Sequence, residues 1–172
     1  KARVDQVHAL DNGDVLLVGE QDYVYTRTNS RTKTKTYEYH YDDILVERIG
    51  ADGSLKWAQR IPKRQVSQST SYFSYFFAPV GDQFYFVFND DPANLEYSGQ
   101  GRLEEFQARN RWVTVCVKMD GDGYMQKSRL ATPEKTDLKM KPMYAHQISD
   151  NEWLVRATRK SERQYVKLTF SD

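Results

Sequence analysis

An all-β fold is what this chain of 172 residues predicts, on three observations. Apolar residues recur with a spacing of two, and runs with helical spacing are scarce. The chain holds 12 Tyr and 8 Phe, and aromatic side chains favour the pleated, half-buried surface of a strand. The third observation is repetition: an apolar run, a polar turn and a denser apolar run recur three times along the chain.

Those three segments are VHALDNGDVLLVGE from Val7, FFAPVGDQFYFVFND from Phe76 and YAHQISDNEWLVRAT from Tyr144. Their turns are Asp11-Asn12-Gly13-Asp14, Gly81-Asp82-Gln83 and Ser149-Asp150-Asn151-Glu152, rich in the residues that tolerate positive φ. The second strands open at Val15, Phe84 and Trp153, about 69 residues apart. A second pair of hairpins follows in the same order. ILVERIGADGSLKWAQRI from Ile44 and TVCVKMDGDGYMQKSRL from Thr114 each place a strand, an Asp-Gly turn (Asp52-Gly53, Asp122-Gly123) and a strand. QYVKLTFSD from Gln164 supplies the first of those strands once more. The unit is thus four antiparallel strands. Residues 1–172 read as a single β-repeat domain, with repeats at about 4–63, 70–132 and 140–172, the last without its fourth strand.

Four-stranded meanders at a fixed period are the pattern of β-propeller blades. DILVERIGADGSLKWAQRI in particular resembles the repeats of secreted bacterial propellers, in which a basic residue and an aliphatic precede a turn and a Trp-bearing strand. The matching positions are Arg48, Ile49, Asp52, Gly53, Ser54, Leu55 and Trp57. Repeat two matches in part, with Lys127 in place of Trp57. The resemblance implies a fragment of a larger propeller, because closed rings take about four to eight blades. It also implies a periplasmic, cell-surface or secreted setting in a bacterial envelope. The start at Lys1 fits a processed chain or a piece of a longer one. A β-sandwich and an up-and-down meander barrel are the alternatives.

Long insertions, at about 20–43 and 89–112, separate the hairpins of the first two repeats. The first is a ribbon: EQDYVYTRT turns near Asn29-Ser30 and returns as TKTKTYEYHYDDILVERI. An odd loop sets Tyr23, Tyr25, Arg27, Lys33, Lys35, Tyr37, Tyr39 and Tyr41 on one face and Thr26, Thr28, Thr32, Thr34 and Thr36 on the other, whereas an even loop mixes the faces. Tyr23, Tyr25, Arg27, Lys33, Lys35, Tyr37 and Tyr39 are the candidate ligand-binding residues, since tyrosine stacks and cations pair. In the second insertion RLEEFQARNR, with Leu103 and Phe106 at helical spacing, predicts two turns of helix. Farther on, the alternation of SYFSYFFAPV, Ser71 to Val80, predicts a strand apolar on both faces.

Catalytic signatures are sparse. His8, His40 and His146 lie on separate strands without metal-ligand spacing, so no metal or cofactor is expected and no catalytic residue is named. Asp42-Asp43 and Asp90-Asp91 are adjacent on strands and point to opposite sides. Asp120-Gly121-Asp122-Gly123 reads as a hairpin turn. Cys116 stands alone in an apolar run and reads as a buried residue. With Lys+Arg 25 against Asp+Glu 24, net charge gives no reason to expect nucleic acid, and no apolar run is long enough for a membrane-spanning helix. The expected function is a non-enzymatic binding or scaffold domain that presents loops to a protein or glycan. The competing expectation is part of a propeller enzyme or substrate-binding protein whose site includes residues outside this chain.

Overall fold

The computed structural model describes residues 2–108, 111–131 and 137–171. It is all-β, with three antiparallel sheets whose strands follow sequence order. Neighbouring strands follow in sequence order, apart from one short strand in the first sheet, and no sheet closes on itself, which overturns the meander barrel as an alternative. Two compact units, Lys1–Thr70 and Ser71–Asp172, divide the chain.

The first unit holds β1 (Ala2–Ala9), β2 (Val15–Thr28), β3 (Lys35–Ile49) and β4 (Leu55–Ile61), paired in that order, and a short β5 (Gln65–Ser67) beside β3. Its two short turns share one geometry. Leu10 N–H donates to Asp14 O and Gly13 N–H to Leu10 O, both at 2.9 Å; Gly50 and Gly53 repeat this with Ser54 O and Gly50 O at 2.7 and 2.8 Å. Gly13 and Gly53 sit at φ +86° and +82°, the left-handed position that closes such loops. Leu16, Val18, Ile44 and Val46 alternate on one face and are fully buried. Asp14 ties the two turns together: its carboxylate accepts from Arg48 Nε and Lys56 Nζ, each at 2.8 Å, and from Ala51 N–H at 3.2 Å. Gly19 is required by close approach, since a Cβ there would lie 2.2 Å from the Arg3 carbonyl oxygen of β1.

The second unit contains β6 (Tyr75–Val80), β7 (Gln83–Asp90), β8 (Val113–Asp120) and β9 (Met125–Ala131) in one sheet, and β10 (Leu138–Ser149), β11 (Glu152–Arg159) and β12 (Glu162–Thr169) in another. Phe170, just beyond β12, packs its ring against Phe76, Tyr85 and Trp153 at 6.3, 4.6 and 5.4 Å, joining the two sheets. Tyr85 also donates its hydroxyl to Ser171 O. Buried Asn89 crosses the same seam with one of its bonds: Nδ2 donates to Met140 O of β10 at 2.8 Å, and also to Tyr72 O at 2.9 Å, while Oδ1 accepts from Thr114 Oγ1 of the neighbouring strand at 2.8 Å. Phe84, Phe86 and Phe88 with Val115, Val117 and Met119 bury the opposite face of the first of these sheets.

Two sequence expectations need correction. SYFSYFFAPV is a strand only from Tyr75, because Ser74 takes φ +66° and breaks the alternation; Tyr75, Phe76, Phe77 and Ala78 are then buried on both faces as expected. The helix expected in RLEEFQARNR is absent from residues 102–108, and Arg109 and Asn110 lie outside the described residues. Asn94 claims the backbone instead: its Nδ2 donates to Glu104 O at 2.9 Å and its Oδ1 accepts from Glu104 N–H at 2.8 Å. Phe106 is buried against Phe73, ring centres 5.9 Å apart. A side chain that imitates a strand partner, together with one buried ring, outweighs the small helical preference of so short a segment.

Candidate functional site: a projecting ribbon and its polar root

β2 and β3 outrun their neighbours. β1 reaches along β2 only to Gln21, β4 reaches along β3 only to Ile44, and β5 covers Tyr39 to Tyr41. From Tyr23 to Thr28 and from Lys35 to Glu38 the two strands pair only with each other. The loop between them, 29–34, is organised by Asn29. Its N–H donates to Thr34 O at 2.9 Å, its carbonyl accepts from Lys33 N–H at 2.8 Å, and its Oδ1 accepts from Arg31 and Thr32 N–H at 2.9 and 3.1 Å. Lys33 lies in the left-handed region at φ +57°.

That loop is even, so the single tyrosine–cation face expected of an odd loop does not form. Directly paired residues share a face. Tyr23 is opposite His40, Tyr25 opposite Glu38 and Arg27 opposite Thr36. The other face carries Val24 with Tyr39, Thr26 with Tyr37 and Thr28 with Lys35. Of the candidate residues, Tyr23, Tyr25 and Arg27 come together, Lys35, Tyr37 and Tyr39 come together, and Lys33 sits in the loop. Arg27 lies 5.7 Å from the Tyr25 ring centre and 3.9 Å from Glu38. Tyr23, Val24, Tyr25 and Tyr37 are 44%, 53%, 53% and 49% exposed, a large apolar area on an element with no sheet behind it.

At the root the ribbon is stiffened by polar groups. The Tyr23 and His40 rings stack at 4.4 Å and 9°, and His40 Nε2 meets Glu38 Oε1 at 3.0 Å. Asp42 and Asp43 oppose Gln21 alone, a bulge that turns the two carboxylates to different partners. Asp43 takes Arg60 Nη1 and Lys63 N–H, both at 3.2 Å. Asp42 is half-buried and accepts from the Tyr23 hydroxyl; burial raises its carboxyl above the usual range, and its Oδ1 is enclosed without a described hydrogen-bond partner. Beside it Lys63 is fully buried, its Nζ 2.6 Å from Glu20 Oε1, 2.8 Å from Tyr41 O and 3.2 Å from Gln65 Oε1. Sequence reading passed over this pair. The available signal was Glu20 itself, in phase with buried Leu16 and Val18, since a carboxylate on a buried face calls for a cation.

The other acidic residues that the sequence singles out, Asp90, Asp91 and Asp120, are occupied within the fold. Asp90 is buried against Lys127 Nζ and Asn94 Nδ2, at 2.8 and 2.7 Å, while Asp91 caps the short turn Pro92–Asn94. Asp120 accepts Asp122 and Tyr124 N–H at 3.0 and 2.9 Å inside its own turn. Among the described residues no group of three His, Cys, Asp or Glu is placed to hold a metal, and no helix is long and apolar enough to cross a membrane. Burial pushes the Cys116 thiol up to about 12, far from the thiolate a nucleophile needs. What the ribbon offers chemically is contact: stacking rings, an aliphatic side chain and three cations on a rigid base. No protein-family model, curated protein or solved structure matches this chain.

Proposed function

We propose that the chain is a non-enzymatic binding domain built from propeller-type sheets, and that the ribbon is the arm with which it holds a partner. The support is the exposure of Tyr23, Val24, Tyr25 and Tyr37 on both faces of a two-stranded element that only its root and loop stabilise. Of the two partner classes, protein and glycan, protein is the better fit. A glycan site asks for rings on one side, whereas here an aliphatic residue and rings face both ways, as in an arm laid into a groove. The propeller reading draws support from three meander sheets in sequence order and from the residues of the Asp52-Gly53 hairpin. The setting that goes with it is the bacterial periplasm, cell surface or extracellular space.

The test replaces Val24, Tyr25 and Tyr37 together by Ser and compares the variant with the unaltered chain. Crosslinking in an extract of envelope proteins, followed by titration with the purified candidate, should give a partner that the variant binds at least about tenfold more weakly. Equal affinity for every captured protein, with the variant still folded, rejects the ribbon as the contact.

A further inference from the structure

The outer face of the β10-β11-β12 sheet concentrates charge of one sign. Across strands β10 to β12 the carboxylates are Glu152 and Glu162 alone, and both stand at strand starts. Glu152 is engaged by Lys167 at 2.7 Å. Between these ends Arg156 is paired across β12 with Tyr165 and Thr158 with Arg163, and Lys139 of β10 is opposite Thr158. The stretch from Leu154 to Thr158 spans about 13 Å.

β10 is distorted where this face is richest. Four residues, Lys141 to Tyr144, stand between Met140, opposite Ala157, and Ala145, opposite Val155, so that they bulge out against Arg156. The bulge puts the Tyr144 ring 5.3 Å from the Arg156 guanidinium carbon. It also brings Lys141 Nζ to 5.0 Å from the Tyr72 ring centre, and Lys139 Nζ is 5.0 Å from the same ring. Tyr72 is fixed in place by its hydroxyl, 2.8 Å from Thr158 Oγ1. Lys139 Nζ is already spent on Ala108 O at 2.9 Å, so Lys141 is the ammonium that this face offers to an anion. Arg156 is only partly exposed and has no hydrogen-bond or ion-pair partner among the described residues; its Nε is enclosed and unsatisfied. A guanidinium held over an aromatic face, its Nε without a hydrogen-bond partner among the described residues, is a receptor for a planar or tetrahedral oxyanion.

From this geometry we infer a binding site for a short acidic oligosaccharide, a sugar chain bearing carboxylate or sulfate groups. Arg156 and Lys141 take the anionic groups, and the exposed rings of Tyr144 and Tyr165 take the apolar faces of the sugars. The short cationic stretch, with Glu152 at its end on the same face, suits a few charges better than the long phosphate track of a nucleic acid. An acidic peptide offers carboxylates but no flat ring face for the tyrosines. The inference stands apart from the ribbon and needs none of its residues.

Calorimetry and two-dimensional NMR on the intact chain test it, with oligogalacturonate, a heparin-derived oligosaccharide, a neutral maltooligosaccharide of equal length, oligothymidylate and polyglutamate as probes. At least one acidic saccharide should bind and shift the resonances of Tyr144, Arg156 and Tyr165, while the neutral one should not. Oligogalacturonate carries carboxylate alone and the heparin fragment carries sulfate as well, so binding of the heparin fragment only points to sulfate and binding of both shows that carboxylate suffices. Arg156→Gln and, separately, Lys141→Gln should each weaken binding about tenfold. Lys141 lies in the bulge, so its variant is readable even if Arg156→Gln is unstable. The inference fails if no acidic saccharide binds at millimolar concentration. It fails equally if both folded variants bind as the unaltered chain does, if the shifts map elsewhere, or if oligothymidylate or polyglutamate binds more tightly than every saccharide.

Discussion

The Glu20–Lys63 pair is where one side chain weighs most. Both groups are buried, so each has given up its water and depends on the other and on Tyr41 O and Gln65. Lys63→Met leaves the carboxylate without its cation and should cost about 3–5 kcal/mol in urea denaturation. Glu20→Leu combined with Lys63→Met removes both charges and should recover most of that loss; if the double variant is no better than the single one, the pair is not an isolated desolvated unit. Asp42 makes a second, pH-dependent case. Its folded pKa is raised, first by burial, above the unfolded value of about 3.9. The neutral acid therefore favours the fold below the unfolded pKa, and this contribution is lost as pH rises through the folded pKa. Asp42→Asn keeps an acceptor for the Tyr23 hydroxyl and cannot ionise. It should be the more stable protein at neutral pH, with the difference closing in acid; a gap that is the same at every pH contradicts a desolvated carboxylate.

At the scale of elements, the ribbon's cations should be dispensable for folding. Arg27, Lys33 and Lys35 are all exposed, and among the described residues their one ion pair, Arg27 with Glu38, is long and solvated. Changing all three to Ser should shift the melting temperature by no more than about 2–4 °C, the equivalent of roughly 1 kcal/mol in a chain of this size. A large drop would mean that they hold the ribbon together. The strands themselves were legible because a spacing of two and Gly-centred turns are local properties: Asp11-Asn12-Gly13, Asp52-Gly53 and Asp122-Gly123 close three loops of the same hydrogen-bond pattern. The ribbon's faces were not legible, because they hang on whether one loop holds an odd or even number of residues. That parity is fixed by the Asn29 side chain and the left-handed Lys33, not by any periodicity. The lost helix at 102–108 has the same origin, since it was decided by Asn94, ten residues before the Glu104 whose backbone it engages. The charged face of β10 to β12 escaped notice because its residues alternate with buried ones and meet only when three strands align.

The second unit as a whole carries its own reporter in Cys116, the chain's one cysteine. It sits on β8 opposite Val87, buried in a sheet whose two faces are both covered. Its thiol is held at about 12, chiefly by burial, against about 8.5 in an unfolded chain. The neutral thiol thus favours the fold, fully so below the unfolded pKa. As pH rises above about 8.5 the unfolded chain ionises first, and stability should fall by up to about 1.4 kcal/mol per pH unit until the folded thiol also titrates. Cys116→Ala should abolish that part of the alkaline slope while leaving the neutral-pH stability within about 1–2 kcal/mol. The same thiol reads the seam between the sheets of this unit. Phe170→Ala takes a buried ring away from Phe76, Tyr85 and Trp153 and should cost about 3–5 kcal/mol. If labelling requires the sheets to part, that loss raises the rate of Cys116 modification by about two to four orders of magnitude at fixed pH. A thiol modified equally fast in both proteins would place its exposure in a local fraying of β8 and would take the aromatic seam out of the opening that matters.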